Sequence, residues 1–142
     1  MIAIAAGGEH SLALKSDGTI WAAGSNDYGQ LGNGTLTGVA AIAAGRNYSL
    51  AIRTDGTVWA WGDNSQGQLG DGTITGGSNP RQVLNLSGVI AIAAGGDHSL
   101  ALKSDGTVWA WGENAYGQLG VQQKVGGIAE NHIRPLGWNT KG

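Results

Sequence analysis

SLALKSDGTIWAAGSNDYGQLG at Ser11–Gly32 is followed by SLAIRTDGTVWAWGDNSQGQLG at Ser49–Gly70 and SLALKSDGTVWAWGENAYGQLG at Ser99–Gly120. The first and third copies differ only at positions 20/108, 23/111, 25/113 and 27/115, so 18 of 22 residues match. An active site is normally assembled once, from unlike residues. A phrase repeated almost verbatim marks a structural unit that cannot bury its apolar face alone and stacks on copies of itself.

Within the phrase, SLALK and TVWAWG flank SDG or TDG. Short runs of Val, Ile, Leu and Trp on either side of Asp-Gly predict a β-hairpin. Asp17, Asp55 and Asp105 suit the turn because their carboxylates bond nearby backbone, and Gly18, Gly56 and Gly106 accept the positive φ that closes it. Period two puts Trp59 and Trp61 on one face and Val58 and Ala60 on the other. Both faces are apolar or small, so the sheet is expected to be covered on both sides. AIAAG at Ala3–Gly7, Ala41–Gly45 and Ala91–Gly95 adds a strand before each hairpin, and N-x-x-G-Q-L-G follows each one at Asn26–Gly32, Asn64–Gly70 and Asn114–Gly120. Glycines at its fourth and seventh places mark tight, recurrent backbone geometry. In the second copy PRQVLNL at Pro80–Leu86 reads as a fourth short strand, its opening proline suited to an edge. Helical periodicity is absent, so the chain is all-β. Ile42 and Ile92 lie 50 residues apart, and four-stranded units repeating about every 40–50 residues describe β-propeller blades.

Composition narrows the function classes. Only 13% of the 142 residues are charged and 41% are hydrophobic, which argues against a disordered chain. No apolar run approaches the roughly 20 residues of a membrane helix, so no membrane partner is expected. Met1 leads straight into IAIAAGG without a basic stretch, so no secretory signal is expected. The absence of cysteine excludes disulfides and thiolate metal sites. A formal charge of −2 gives no electrostatic footprint for nucleic acid. Lys15, Arg53 and Lys103 recur at one repeat position and read as solvated strand ends.

The pattern AGGxHSLALKSDGTVWAWGxNxxGQLG resembles the repeat of the regulator of chromosome condensation family over roughly residues 3–120. The resemblance implies blades of four antiparallel strands around a central channel, in a family whose members typically form seven-bladed propellers. Three blades fall at about 1–38, 39–88 and 89–120, with 121–142 as a divergent tail. Family members include a nuclear exchange factor for a small GTPase and a secreted bacterial inhibitor of β-lactamases. What the resemblance implies about activity is therefore a scaffold that presents loops to other proteins.

The chain departs from this pattern twice. Ile4 and Ile42 are 38 residues apart, so the first copy is 12 residues short, and alignment of Gly38 with Gly76 shows that it lacks the equivalent of Gly77–Gly88. That piece holds the fourth strand. The same copy has Ala23 where the others have Trp61 and Trp111. After Gly120 the tail runs VQQKVGGIAENHIRPLGWNTKG, whose IRPLGW reads as a degenerate outer strand in the place of PRQVLNL, or else as a foreign or disordered end or an inter-chain segment.

No catalytic, cofactor-binding or metal-binding residue is assigned, and the chain reads as non-enzymatic. His10 and His98 share a repeat position with Tyr48, an exchange that metal ligation or proton transfer would not survive but a strand-start hydrogen bond to backbone would. His132 stands alone in the tail. The recurrent carboxylates sit in turns, with no pair spaced for acid–base work or glycoside hydrolysis. Ser11, Ser49 and Ser99 lack a nucleophile elbow, and no glycine run forms a phosphate loop. DNSQGQLGDG lacks the spacing and closing Glu of a calcium loop.

Variation among the copies is more informative. Asn26-Asp27-Tyr28, Asn64-Ser65-Gln66 and Asn114-Ala115-Tyr116 occupy one loop on successive blades, and their second and third members vary inside a constant frame. Tyr28 and Tyr116 have the amphipathic character of interface anchors, although a tyrosine there can also pack on its own blade. These nine residues are the candidate partner-binding loops. The leading reading is a β-propeller scaffold that oligomerises or binds proteins through loops on one face. Alternatives are a small-molecule or carbohydrate binder using the channel or exposed tryptophans, and, by fold analogy alone, a GTPase exchange factor. Three blades are too few to close, since propellers use about 4–8. The expected partners are a second copy, joined head to tail to give six blades with the tail across the junction, or the rest of a longer propeller.

Overall fold

The structure, a computed structural model, describes residues 1–114 and 134–135. The first sheet contains β1 (Ala3–Ala6), β2 (His10–Leu14) and β3 (Ile20–Gly24), in that order. The second contains β4 (Val39–Ala44), β5 (Tyr48–Arg53), β6 (Val58–Gly62) and β7 (Gly77–Gln82). The third contains β8 (Val89–Ala94), β9 (His98–Lys103) and β10 (Val108–Gly112), with β11 (Arg134–Pro135) added beyond β10. Every pairing is antiparallel, and no helix occurs among the described residues.

The hairpin turns take the form that Asp-Gly predicts. Lys15 N–H donates to Thr19 O at 2.9 Å and Gly18 N–H to Lys15 O at 3.0 Å. Gly18 closes the loop with φ +83°, and Gly56 and Gly106 repeat it at +82° and +88°, a region costly for residues bearing a Cβ. Asp17 Oδ1 accepts from Thr19 N–H at 3.0 Å and Thr19 Oγ1 at 2.6 Å, and Asp55 and Asp105 do the same for Thr57 and Thr107. The Thr hydroxyl is the first cause holding these carboxyls below their ordinary range. The recurrent cations have a partner that the sequence reading omits. Lys15, Arg53 and Lys103 lie over the rings of Trp21, Trp59 and Trp109 at 5.3, 5.7 and 5.2 Å, within cation–π range.

The outer strands refine the expectation. β7 starts at Gly77 rather than Pro80 and ends at Gln82. Its ladder pairs Trp59 with Gln82 and Ala60 with Arg81, then shifts to pair Gly62 with Gly77. Pro80 sits in that irregular stretch, where its missing N–H removes nothing from the ladder. Val83 and Leu86 continue past the strand into the core. On β10 the same places are held by Arg134, opposite Ala110, and Pro135, opposite Trp109. The described part of the tail therefore stands as an outer strand on its own chain; the remainder of 121–142 lies outside the described residues. The first sheet stops at β3, where its missing residues would have supplied a fourth strand.

Alternation along each strand fastens the sheets face to face. Tyr48, Leu50 and Ile52 of β5 pack with Val89, Ala101 and Trp111 of the third sheet. Ala51 and Trp61, on the opposite face of the second sheet, pack with Leu14 and Val39 and with the partly buried Ile20. The second sheet is thus covered on both sides.

Candidate interaction surfaces

Two joints link the three sheets, and both use the same atoms. Trp61 Nε1–H donates to the Gln30 carbonyl at 3.0 Å, and Trp111 Nε1–H to the Gln68 carbonyl at 2.9 Å. Ser49 Oγ donates to the same Gln30 carbonyl at 2.8 Å, and Ser99 Oγ lies 3.2 Å from the Gln68 carbonyl. The indole fits because a glycine ends each G-Q-L-G. A Cβ on Gly70 would come within 2.9 Å of Trp111 Nε1.

The His/Tyr position completes the joint, through a side chain as well as through backbone. His10 Nε2 lies 3.0 Å from Ser49 Oγ. Because Ser49 gives its hydroxyl proton to Gln30, the ring takes the Nε2–H tautomer and donates. Burial lowers the His10 pKa, with a Tyr48 backbone hydrogen bond acting weakly the other way. Tyr48 places its hydroxyl between sheets two and three, donating to the His98 carbonyl and accepting from Ser99 Oγ at 3.0 Å. Burial pushes its phenol well above the ordinary value. Imidazole and phenol both serve here because each carries a donor across the joint, His10 to Ser49 Oγ and Tyr48 to the His98 carbonyl. Around the same edge, Gly8 N–H reaches Gly45 O and Arg46 O at 3.2 Å, and Arg46 N–H reaches Gly96 O at 3.0 Å. Arg46 also pairs with Asp97 at 3.2 Å.

The N-x-x-G-Q-L loops sit at the end of the sheets opposite the Asp-Gly turns. Asn26 Oδ1 accepts from Leu31 N–H at 3.0 Å and Asn64 Oδ1 from Leu69 N–H at 2.9 Å. Gln30 and Gln68 fold their Oε1 back onto Tyr28 N–H and Gln66 N–H. Asn64 and Asn114 are buried, and Asn64 Nδ2 is used up on the Asp71–Thr75 segment. These asparagines shape the loop. Asn26, Asp27, Tyr28 and Ser65 are exposed and Gln66 is half-buried, while Ala115 and Tyr116 lie outside the described residues. Tyr28, 49% exposed, stands between two clefts of about 440 Å³ each. One is shared with Asn64, Ser65 and Ile74, the other with Glu9, Arg46 and Asn47. Gln30 and Gln68 escaped the sequence reading as joint residues. Their identity in all three copies, at a polar position, was the available signal.

The tryptophans divide by environment. Trp61 and Trp111 are buried in the joints, Trp59 and Trp109 are partly covered, and Trp21 is 62% exposed. Beside Trp21, on the open face of the first sheet, lies a mainly apolar hollow of about 420 Å³ lined by Ile4, Ser11, Ala13 and Ala23 among others. Among the described residues no group of three or more His, Asp or Glu converges as a metal set.

Three- and four-stranded antiparallel sheets stacked face to face, each keyed to the next by the same donors, define a β-propeller repeat protein. The chain belongs to the regulator of chromosome condensation family: models of the Regulator of chromosome condensation (RCC1) repeat match residues 55–102 and 105–135 in one form and 1–30, 39–68 and 89–118 in another. Among solved structures it is similar to human WBSCR16, with 28% identity over 94% of this chain and 38% of that one at a TM-score of 0.82. It is also similar to Prp20p of Saccharomyces cerevisiae, described with its binding to Gsp1p and histones, with 29% identity over 96% and 38% of the two chains at 0.81. The same yeast protein bound to Kap60 matches at 29% identity over 96% and 37%, with a TM-score of 0.83. The chain spans about two-fifths of the length of these relatives. No curated protein sequence matches it.

Proposed function

We propose that this chain is a non-enzymatic propeller scaffold that binds a protein partner through the N-x-x-G loop end of its blades. The observation that carries this reading is Tyr28, half-exposed between two clefts, in a loop whose backbone is held by the Asn26 side chain and the buried Gln30 side chain. A rigid frame carrying an exposed aromatic loses little entropy on binding, the property of an interface anchor. The protein partners named for the yeast relative, Gsp1p, histones and Kap60, are in keeping with it. A carbohydrate-binding alternative is less well supported, because Trp61 and Trp111 are committed to the joints and Trp59 and Trp109 lie under Arg53 and Lys103. Exchange activity on a small GTPase rests on fold alone.

A photo-crosslinking residue at position 28, compared with one at Ser16 on the opposite end, tests the reading in the native host cell. A discrete heavier species from position 28 alone supports it. Equal patterns from both positions, or none from position 28, count against it.

A further inference from the structure

The two ends of the stack are halves of one joint. Toward the second sheet the first presents His10, Leu12, Leu14 and Ile20. On its free side the third sheet carries His98, Leu100, Leu102 and Val108 at those same positions, differing only in Val for Ile. Toward the first sheet the second presents Ile42, Ser49, Ala51 and Trp61. On its free side the first sheet carries Ile4, Ser11, Ala13 and Ala23, differing only in Ala for Trp.

Both halves stand open. Leu50, Ile52 and Val58 are fully or nearly fully buried, whereas Leu100 and Val108 are half-buried and Leu102 is exposed. Ile42 is half-buried, but Ile4 is 82% exposed and Ser11 is exposed. The His98 ring has no hydrogen-bond partner among the described residues, while His10 reaches Ser49. Soluble monomers rarely leave apolar faces of this kind uncovered.

We propose that residues 1–142 by themselves assemble as a pair, the open face of the first sheet seating the third sheet of a second copy and closing a six-blade ring through two equivalent joints. A donor half and a receiving half on one chain give a head-to-tail contact, and a two-fold axis along the channel makes the two contacts identical. His98 of each copy reaches Ser11 of the other, as His10 reaches Ser49. These two joints differ from the four internal ones in one respect. Ala23 supplies no indole, so the hollow of about 420 Å³ beside Ser11 and Trp21 stays partly unfilled and the indole donor that Trp61 and Trp111 bring to the internal joints is missing. The ring therefore opens at these joints first. The inference is independent of the loop reading, since Tyr28 lies on another edge of the blade.

Sedimentation equilibrium of the full chain tests it. The expected mass is about twice the 14.4 kDa of one chain, with reversible dissociation on dilution. Ile4→Asp alters a side chain that a lone chain leaves in solvent, so it should keep the β-type circular dichroism and lose the dimer. Ala23→Trp restores the missing donor and fills the hollow, and should lower the dissociation constant by about tenfold, the order expected of one added hydrogen bond and its packing. A monodisperse single chain, any multiple other than two, a dimer that survives Ile4→Asp, or a folded Ala23→Trp variant with unchanged affinity would each overturn the proposal.

Discussion

Trp111 in the third sheet donates its indole N–H to the carbonyl of Gln68 in the second, at 2.9 Å, across 43 residues of sequence. Trp61 and Gln30 repeat the bond one sheet earlier at 3.0 Å. The tryptophan that looks like core filling in the phrase TVWAWG is a directional fastener. Trp111→Phe keeps an aromatic ring but removes the donor and some volume. We expect a loss of about 2 kcal/mol in urea unfolding, the range for a buried hydrogen bond with a small cavity. A change under about 0.5 kcal/mol would show that the bond contributes nothing.

The loops that carry Tyr28 and Ser65 are each closed by a positive-φ glycine, Gly29 and Gly67. Gly67 has φ +77° and its N–H donates to Asn64 O at 3.0 Å. Gly67→Ala should therefore destabilise by more than the ~1 kcal/mol of an ordinary glycine exchange. An unchanged melting midpoint would contradict a structural role for this position.

Acid should loosen the joint between the first two sheets. Burial lowers the folded-state pKa of His10 from 6.5, so below about pH 6.5 the unfolded chain takes up protons that the folded joint resists. Stability from this group is complete above pH 6.5 and falls as pH drops toward the lowered folded value. His98 shifts in the same direction by burial, opposed by Glu113 and Asp97. His10→Tyr copies the residue that the second sheet uses at this position. We expect the variant to fold and to show a flatter melting temperature between pH 7 and pH 5 than the parent. An identical slope would assign the acid response elsewhere.

Tryptophan emission offers a separate check on burial. In the Ile4→Asp variant, whose first-sheet face stays open, iodide should reach Trp21 readily and Trp61 and Trp111 hardly at all. Trp21→Phe should lower the quenchable fraction, and Trp61→Phe should leave it nearly unchanged. The reverse ranking would be inconsistent with the sheet order described above.

What the sequence determined by itself was everything local. Asp-Gly between apolar runs specifies the turn because carboxylate and positive-φ glycine act within three residues of each other. Period two specifies which side chains share a face. The missing twelve residues of the first copy were legible because two fuller copies stood beside it. Tertiary structure decided what lies far apart in the chain. That Gln30 and Gln68 serve as acceptors depends on a Ser and a Trp 19 and 31 residues further on for Gln30, and 31 and 43 for Gln68, and their side chains alone say only that the loop is polar. Asn64 looked like part of a recognition loop, yet it is buried, because its amide is the short-range tie that holds the loop in shape. Lys15 and its repeats looked merely solvated, since a cation over an indole is visible only once the hairpin has closed. Pro80 marked an edge from sequence, but the start of β7 at Gly77 was set by the ladder on β6, whose register no residue in that segment encodes alone.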